Sequence, residues 1–113
     1  MKRVLILTAL LASFSGATVL GGMKYGSPRV EANSSIHYDY TFIGNQDALV
    51  TISGDGDTDL DLYIYDQNGN EVCRSTANGD DEYCAWNPRW TGAFRVKIKN
   101  YGNIFNRFNI TIQ

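Results

Sequence analysis

The stretch "GDGDTDLDLYIYDQNGN", residues 54–70, decides the fold. From residue 59 onward apolar residues alternate with aspartates and tyrosines, and this period of two is typical of a β-strand with one buried face. The apolar side consists of Leu60, Leu62 and Ile64, and the other side carries Asp59, Asp61, Tyr63 and Tyr65. The Asn68-Gly69 pair that follows is a strong signal for a hairpin turn. The stretch therefore predicts a strand with a core face and a solvated face.

Similar alternating segments surround this strand, and no long helical period appears after residue 35. Strands are predicted at 36–43, 47–53, 59–65, 93–100 and 107–113. Short alternating strands separated by Gly, Asn and Asp are typical of two packed antiparallel sheets, each with one apolar face. We therefore expect an all-β fold, an antiparallel β-sandwich.

Turn chemistry and cysteine spacing together predict a disulfide. Asn78-Gly79 favours a two-residue hairpin loop midway between Cys73 and Cys84. In that hairpin the two cysteines face each other directly, at a Cα separation of about 4.5–5.5 Å, which a disulfide can bridge. The sequence thus predicts a disulfide-linked hairpin.

The Asn68-Gly69 turn predicts the pairing of the preceding strand. A two-residue loop here sets Tyr65 opposite Val72, Ile64 opposite Cys73 and Tyr63 opposite Arg74. The alternative is a longer loop formed by "DQNGN", and a slip of one residue would exchange the two faces of the strand.

The beginning of the chain has the composition of a secretory signal peptide. Two basic residues precede an apolar run and then a series of small residues, with a cleavage site after Ala17 and a second candidate site after Ala32. The alternative is an uncleaved membrane anchor, because residues 4–23 carry no charge. Export would place the protein outside the cytoplasm, secreted or periplasmic, without stable membrane insertion after cleavage.

The predicted organisation is a signal peptide at 1–17, a flexible Gly- and Ser-containing leader at 18–35, and a single domain at 36–113. A domain of this size has a marginal hydrophobic core and usually needs a covalent staple. The two cysteines supply one, and an exported protein would keep it oxidised.

The predicted domain is acidic. From residue 33 to the end, eleven acidic and six basic side chains give a net charge of −5, whereas the whole chain carries −2. Nucleic-acid-binding proteins present basic surfaces, so nucleic acid is excluded as an expected partner. The balance favours cations or basic surfaces instead.

Two segments resemble the bacterial pre-peptidase C-terminal domain, which is related to the collagen-binding domains of clostridial collagenases. The segment "SGDGDTDLDLYIYDQNGNEV" (53–72) is similar to the acidic loop, Asp-Leu-Tyr-Val strand and Asn-Gly turn of that family. The segment "WTGAFRVKIKNYGNIFNRFNITIQ" (90–113) is similar to its two closing strands. The resemblance implies a jelly-roll-like β-sandwich that binds substrate, aids secretion or occupies a secreted peptidase. Because no catalytic domain accompanies it here, we expect a stand-alone module.

Catalytic signatures are absent from the sequence. His37 is the one histidine, so a His-x-x-x-His zinc motif is impossible, and no Gly-x-Ser-x-Gly elbow occurs. We therefore expect a binding protein rather than an enzyme, and a small hydrolase is the least favoured reading.

The four alternating aspartates are candidate calcium ligands: Asp55, Asp57, Asp59 and Asp61. Calcium takes six to eight oxygen ligands, and this segment is rich in carboxylates. It is not an EF-hand, because Leu60 stands where that loop requires glycine. The alternative is a solvated turn followed by carboxylates on the wet face of the strand.

The candidate binding residues are Tyr63, Tyr65, Arg74 and Trp90. Tyrosine, tryptophan and arginine are enriched among the residues that dominate protein interfaces. We expect an acidic, tyrosine-rich sheet face that contacts a protein or extracellular polymer, for example a secreted peptidase. For Trp90 the alternative is a place in the core. Two other roles stay open: a calcium-stabilised structural domain, and an inhibitor or secretion aid of a secreted protease.

Overall fold

A computed structural model of the chain describes residues 28–113. The predicted signal peptide and residues 18–27 of the predicted leader lie outside the described residues. Within 28–113 every regular element is a β-strand, and no helix is long and apolar enough to cross a membrane. The predicted all-β fold class is confirmed.

Nine strands are present between residues 28 and 113: β1 Arg29–Val30, β2 Ser35–Phe42, β3 Ala48–Ser53, β4 Leu60–Tyr65, β5 Glu71–Ser75, β6 Asp81–Trp86, β7 Gly92–Asn100, β8 Asn106–Arg107 and β9 Asn109–Ile112. The bounds predicted for β2, β3, β4 and β7 agree within one residue. The single strand predicted at 107–113 is divided at Phe108 into β8 and β9.

The strands form two main sheets that enclose one core. The four-stranded sheet has the order β2-β7-β4-β5, the three-stranded sheet has the order β6-β3-β9, and all pairs are antiparallel. Both sheets contribute to the buried core: Phe42, Ala48, Val50, Ile52, Leu60, Leu62, Ile64, Cys84, Phe94, Val96, Ile98 and Ile110, together with Val30 and Phe108. The alternation therefore predicts the core face correctly, but Asp61, expected on the solvated face of β4, is buried.

The folded unit begins before residue 36, within the predicted leader. Arg29–Val30 pairs with Asn106–Arg107 as a small third sheet, and Val30 is buried. The buried Asn100 amide donates hydrogen bonds to the carbonyls of Val30 and Glu31, at 3.3 and 3.2 Å. Val30 is a single apolar residue in a polar segment, and one residue cannot show an alternating pattern. Composition was therefore the only guide, and it assigned this segment to the leader.

The predicted disulfide between Cys73 and Cys84 is confirmed, with a Cα separation of 6.0 Å. The two cysteine-bearing strands do not pair with each other as predicted: β5 pairs with β4 in one sheet, and β6 pairs with β3 in the other. The connection around Asn78-Gly79 crosses between the sheets, and both cysteines point toward the core. The disulfide therefore joins the two layers of the sandwich rather than two neighbouring strands.

The turn after β4 is the longer loop, residues 66–70. Asp66 organises it, because one carboxylate oxygen accepts the backbone N–H groups of Asn68 and Asn70, each at 2.9 Å. Gly69 adopts a φ of 85°, a conformation that glycine reaches without strain. The predicted pairs Tyr63–Arg74 and Ile64–Cys73 are confirmed.

The predicted pair Tyr65–Val72 is wrong, because a β-bulge follows Ile64 and Tyr65 faces Glu71 instead. Bulges place one extra residue in one strand and bend it locally. Here the five-residue loop 66–70 leaves Val72 as that extra residue.

We predict that replacing both cysteines by alanine lowers the free energy of unfolding by about 2–3 kcal/mol, because the cross-link closes a short loop in the unfolded chain. Thermal unfolding followed by circular dichroism measures this loss as a fall in melting temperature of roughly 10 °C or more. The native protein in reducing agent is the matched control and should melt with the variant. Equal melting temperatures with and without the cross-link would contradict this role.

We also predict that Asp66→Ala lowers the melting temperature by several degrees near neutral pH, because three N–H groups lose their acceptor. These hydrogen bonds, the strongest from the Asn70 backbone, hold the pKa of Asp66 below its usual value. The stabilisation is therefore complete above about pH 4, the ordinary carboxyl pKa, and is lost as the pH falls further.

The difference between the native protein and Asp66→Ala should accordingly shrink in acid, and Asp66→Asn, which keeps an acceptor oxygen, should lose less. A melting-temperature difference that stays constant from neutral pH to pH values well below the ordinary carboxyl pKa would show that the carboxylate charge does not contribute.

Candidate functional site

The most distinctive surface is the outer face, the side of the four-stranded sheet that points away from the core. Three rows of side chains run across its strands in register: Ser35–Lys99–Asp61, His37–Lys97–Tyr63–Arg74 and Asp39–Arg95–Tyr65–Glu71. They stand side by side because β7 lies between β2 and β4. The outward basic residues of β7 therefore stand beside the outward tyrosines of β4, with Lys97 opposite Tyr63 and Arg95 opposite Tyr65.

This face is not acidic, contrary to the prediction. Two of its acidic residues are neutralised by arginines: Arg95 donates to Asp39 at 2.9 Å, and Arg74 donates to Glu71 at 2.7 Å. Both arginines use two nitrogens, so the pairs are bidentate. The prediction rested on β4 and on Arg74 opposite Tyr63, whereas pairing in the sheet also brings in the cations of β7.

The two lysines on this face, Lys97 and Lys99, form no ion pair among the described residues. Their ammonium groups lie over tyrosine rings instead: Lys97 is 5.8 Å from the centre of the Tyr63 ring, and Lys99 is 4.9 Å from that of Tyr101. A cation over an aromatic ring is attracted to its negative face but keeps its full charge. Among the described residues the outer face therefore has two lysines outside any ion pair and one such carboxylate, that of Asp61.

Tyrosines give the face its apolar area. The rings of Tyr63 and Tyr65 are nearly parallel, with an angle of 17° and a centroid separation of 6.4 Å. Arg74 lies 5.6 Å from the centre of the Tyr63 ring, as predicted from the register. The Tyr63 hydroxyl is 3.4 Å from that of Tyr101 and donates to Asp61 at 3.3 Å. This contact with Tyr101, together with burial and the Asp61 carboxylate, raises the pKa of Tyr63, which keeps its proton.

An open groove of about 610 Å³ crosses the outer face. Its walls are β2 on one side and the loop after β4 on the other, and its floor is β7. The polar groups that reach into it include His37, Arg95, Lys97 and Tyr65. The carboxylates of Asp39 and Asp66 also line the groove, which thus combines groups of both charges with an aromatic wall.

Trp90 belongs to a different surface. Its ring stacks on Phe94 at 6.3 Å and is 38% exposed, and it lines a hollow of about 300 Å³ with Val72, Trp86 and Pro88. Trp86 closes that end of the core through an edge contact with Phe42 at 4.8 Å. Of the four predicted binding residues, the structure brings together Tyr63, Tyr65 and Arg74 but not Trp90.

The predicted calcium ligands do not gather at one point. Asp55 accepts the backbone N–H groups of Asp57 and Arg107, at 3.2 and 2.9 Å, and so holds the loop before β4 in place. Asp57 is exposed in that loop. The loop is fixed further by the buried Asp80, which accepts a hydrogen bond from the Gly56 N–H at 2.6 Å.

Asp59 and Asp61 instead approach Glu82 of β6. The three residues each place a carboxylate oxygen within 4.8 Å of the others. Burial, together with the neighbouring charges of Asp59 and Glu82, raises the pKa of Asp61. These three residues are called the carboxylate cluster below.

No known family model matches the chain. The resemblance to the pre-peptidase C-terminal domain stays a prediction that rests on residues 53–72 and 90–113.

The sequence interpretation missed two groups of residues. Lys97 and Lys99 were visible as alternating cations, but their position beside Tyr63 depends on the pairing of β7 with β4, which are not neighbours in sequence. Glu82 stands two residues before the core residue Cys84, so strand alternation alone places its side chain on the inward side. An acidic residue at an inward-facing strand position was therefore the sequence feature that could have identified Glu82.

Proposed function

We propose that the protein is an exported, non-catalytic binding module whose outer face contacts an anionic extracellular polymer. The observation that carries the proposal is the row of His37, Lys97, Tyr63 and Arg74, of which His37 and Lys97 line an open groove. Lys97 and Lys99 form no ion pair within residues 28–113. A flat, rigid sheet presents these groups without the entropic cost of ordering a loop.

The chemistry of the face favours a negatively charged partner. Lys97 and Lys99 supply charge, and the near-parallel rings of Tyr63 and Tyr65 supply flat apolar area for the rest of the ligand. The domain as a whole is acidic, so attraction to an anion has to be local to this face. Local complementarity of this kind affects the choice of partner more than raw affinity does.

The disulfide between Cys73 and Cys84 supports an extracellular location, because such cross-links persist in oxidising compartments. The resemblance to pre-peptidase C-terminal domains supports an accessory role beside a secreted hydrolase. On this reading the module would hold such an enzyme close to its polymeric surroundings.

We predict that the full chain is retained on immobilised heparin, a sulfated polysaccharide, at low salt and is not retained on neutral dextran. Lys97→Ala and Lys99→Ala should each weaken heparin binding roughly fivefold, equivalent to about 1 kcal/mol for a solvent-accessible ion pair. Elution salt concentration and surface plasmon resonance measure the change. Tyr65→Ala should weaken binding with little change in its salt dependence, because it removes apolar contact rather than charge.

Arg89→Ala is the matched control, since it removes one positive charge from an exposed loop outside the outer face. Two results would refute the proposal: no retention of the native protein, or an Arg89→Ala effect as large as that of the two lysine variants.

A further inference from the structure

We propose that the carboxylate cluster of Asp59, Asp61 and Glu82 is a calcium site that links the two sheets of the sandwich. Asp59 directly precedes β4, Asp61 lies near its beginning, and Glu82 belongs to β6 of the opposite sheet. The β5–β6 connection runs beside β4 at this point, because the Leu60 N–H donates to the Gly79 carbonyl at 2.9 Å. Asp61 is also a member of the outer face, opposite Lys99, whereas Asp59 and Glu82 are not.

The cluster contains buried oxygens without partners. Asp61 is 7% exposed and Glu82 is 3% exposed. One buried oxygen of each of the three carboxylates accepts no hydrogen bond from residues 28–113. Burying an ionised carboxylate without a partner is costly, and the great majority of buried polar atoms are satisfied. Three such oxygens in one place indicate that a group other than these side chains belongs there.

The remaining oxygens are held by hydrogen bonds, which orient the unsatisfied ones. The second oxygen of Asp61 accepts from the Tyr63 hydroxyl at 3.3 Å. The second oxygen of Glu82 accepts from the Ser75 hydroxyl and from the Ala77 N–H. Outer contacts of this kind fix the direction of metal-binding carboxylates. These hydrogen bonds hold the Asp61 and Glu82 carboxylates in a fixed orientation, as expected for a binding site and not for unconstrained surface carboxylates.

Within residues 28–113 no member of the cluster forms an ion pair, although Lys99 lies opposite Asp61 where β7 pairs with β4. The ion pairs of the described residues join Arg29 to Glu31, Arg74 to Glu71 and Arg95 to Asp39, and none includes a member of the cluster. Three carboxylates this close repel one another strongly unless a cation or a proton lies between them.

The ligand set favours calcium over magnesium. All three side chains offer hard oxygen atoms, and calcium–oxygen distances of about 2.3–2.6 Å allow two ligands to lie about 4.6–5.2 Å apart across the ion. One oxygen of each carboxylate lies within 4.8 Å of the others, close enough for one ion to contact all three. Magnesium is usually held by only one or two carboxylates, whereas three meet here. Water would complete the coordination sphere.

The test is thermal unfolding of the full chain after treatment with chelator, with and without added CaCl2. A dissociation constant near 1 mM, typical of extracellular calcium modules, predicts a rise in melting temperature of about 5–10 °C at about 10 mM CaCl2. An equal concentration of MgCl2 should give a smaller rise. Asp61→Asn and Glu82→Gln should abolish the response, and isothermal titration calorimetry should show the same loss of calcium binding.

Asp57→Asn is the matched control, because it removes an exposed carboxylate from the adjacent loop and should keep the full response. Folding of the Asp61 and Glu82 variants is checked in metal-free buffer, where they should melt at or above the native temperature because a repulsive charge is gone. A native protein whose melting temperature is indifferent to CaCl2, or cluster variants that retain the full rise, would overturn the proposal.

Discussion

The pairing of β7 with two partners is the constraint on which the rest of the structure depends. This strand lies between β2 and β4, and its alternation sends Phe94, Val96 and Ile98 into the core and three basic residues outward. The same register that closes the core therefore fixes which side chains meet on the outer face. A slip of one residue would bury the cations and expose the core, so the position of the outer-face side chains is coupled to stability.

Charge is distributed unevenly over the molecule, and the overall balance conceals this. The net charge of the domain is negative, yet the carboxylates lie mainly in the loop before β4, in the carboxylate cluster and in ion pairs. Lys97 and Lys99 are left without an ion-pair partner among the described residues. Partner chemistry is therefore better judged from one face than from total charge, because screening limits the reach of charges in solution to about 10 Å.

Local sequence patterns predicted most of the fold. Alternation placed the strands correctly because one face of each is buried, and the spacing of Cys73 and Cys84 predicted the disulfide. Patterns could not predict which strands pair across the chain. The strands β5 and β6 looked like a hairpin because Asn78-Gly79 suits a tight turn. They lie in different sheets, because β5 pairs with β4 and β6 pairs with β3.

The candidate sites were harder to predict than the fold for the same reason. Three of the four predicted binding residues lie on β4 and on its neighbour in sequence, β5, so they were recognisable locally. Lys97 joined them only through pairing with a strand distant in sequence. The calcium prediction had two of the three cluster residues, Asp59 and Asp61, and lacked Glu82, which comes from the opposite sheet. The Asp55 carboxylate instead accepts backbone hydrogen bonds.

The central claim is that pairing of β7 with β4 builds a face that binds anionic polymers. Nuclear magnetic resonance of the isotope-labelled protein, titrated with a defined heparin oligosaccharide, tests this most directly. The account predicts chemical-shift changes along β7, β4 and the outward residues of β2, centred on Lys97 and Tyr63 and reversed by added salt. Shifts confined to the Trp90 hollow or to the three-stranded sheet, or no shifts at all, would contradict it.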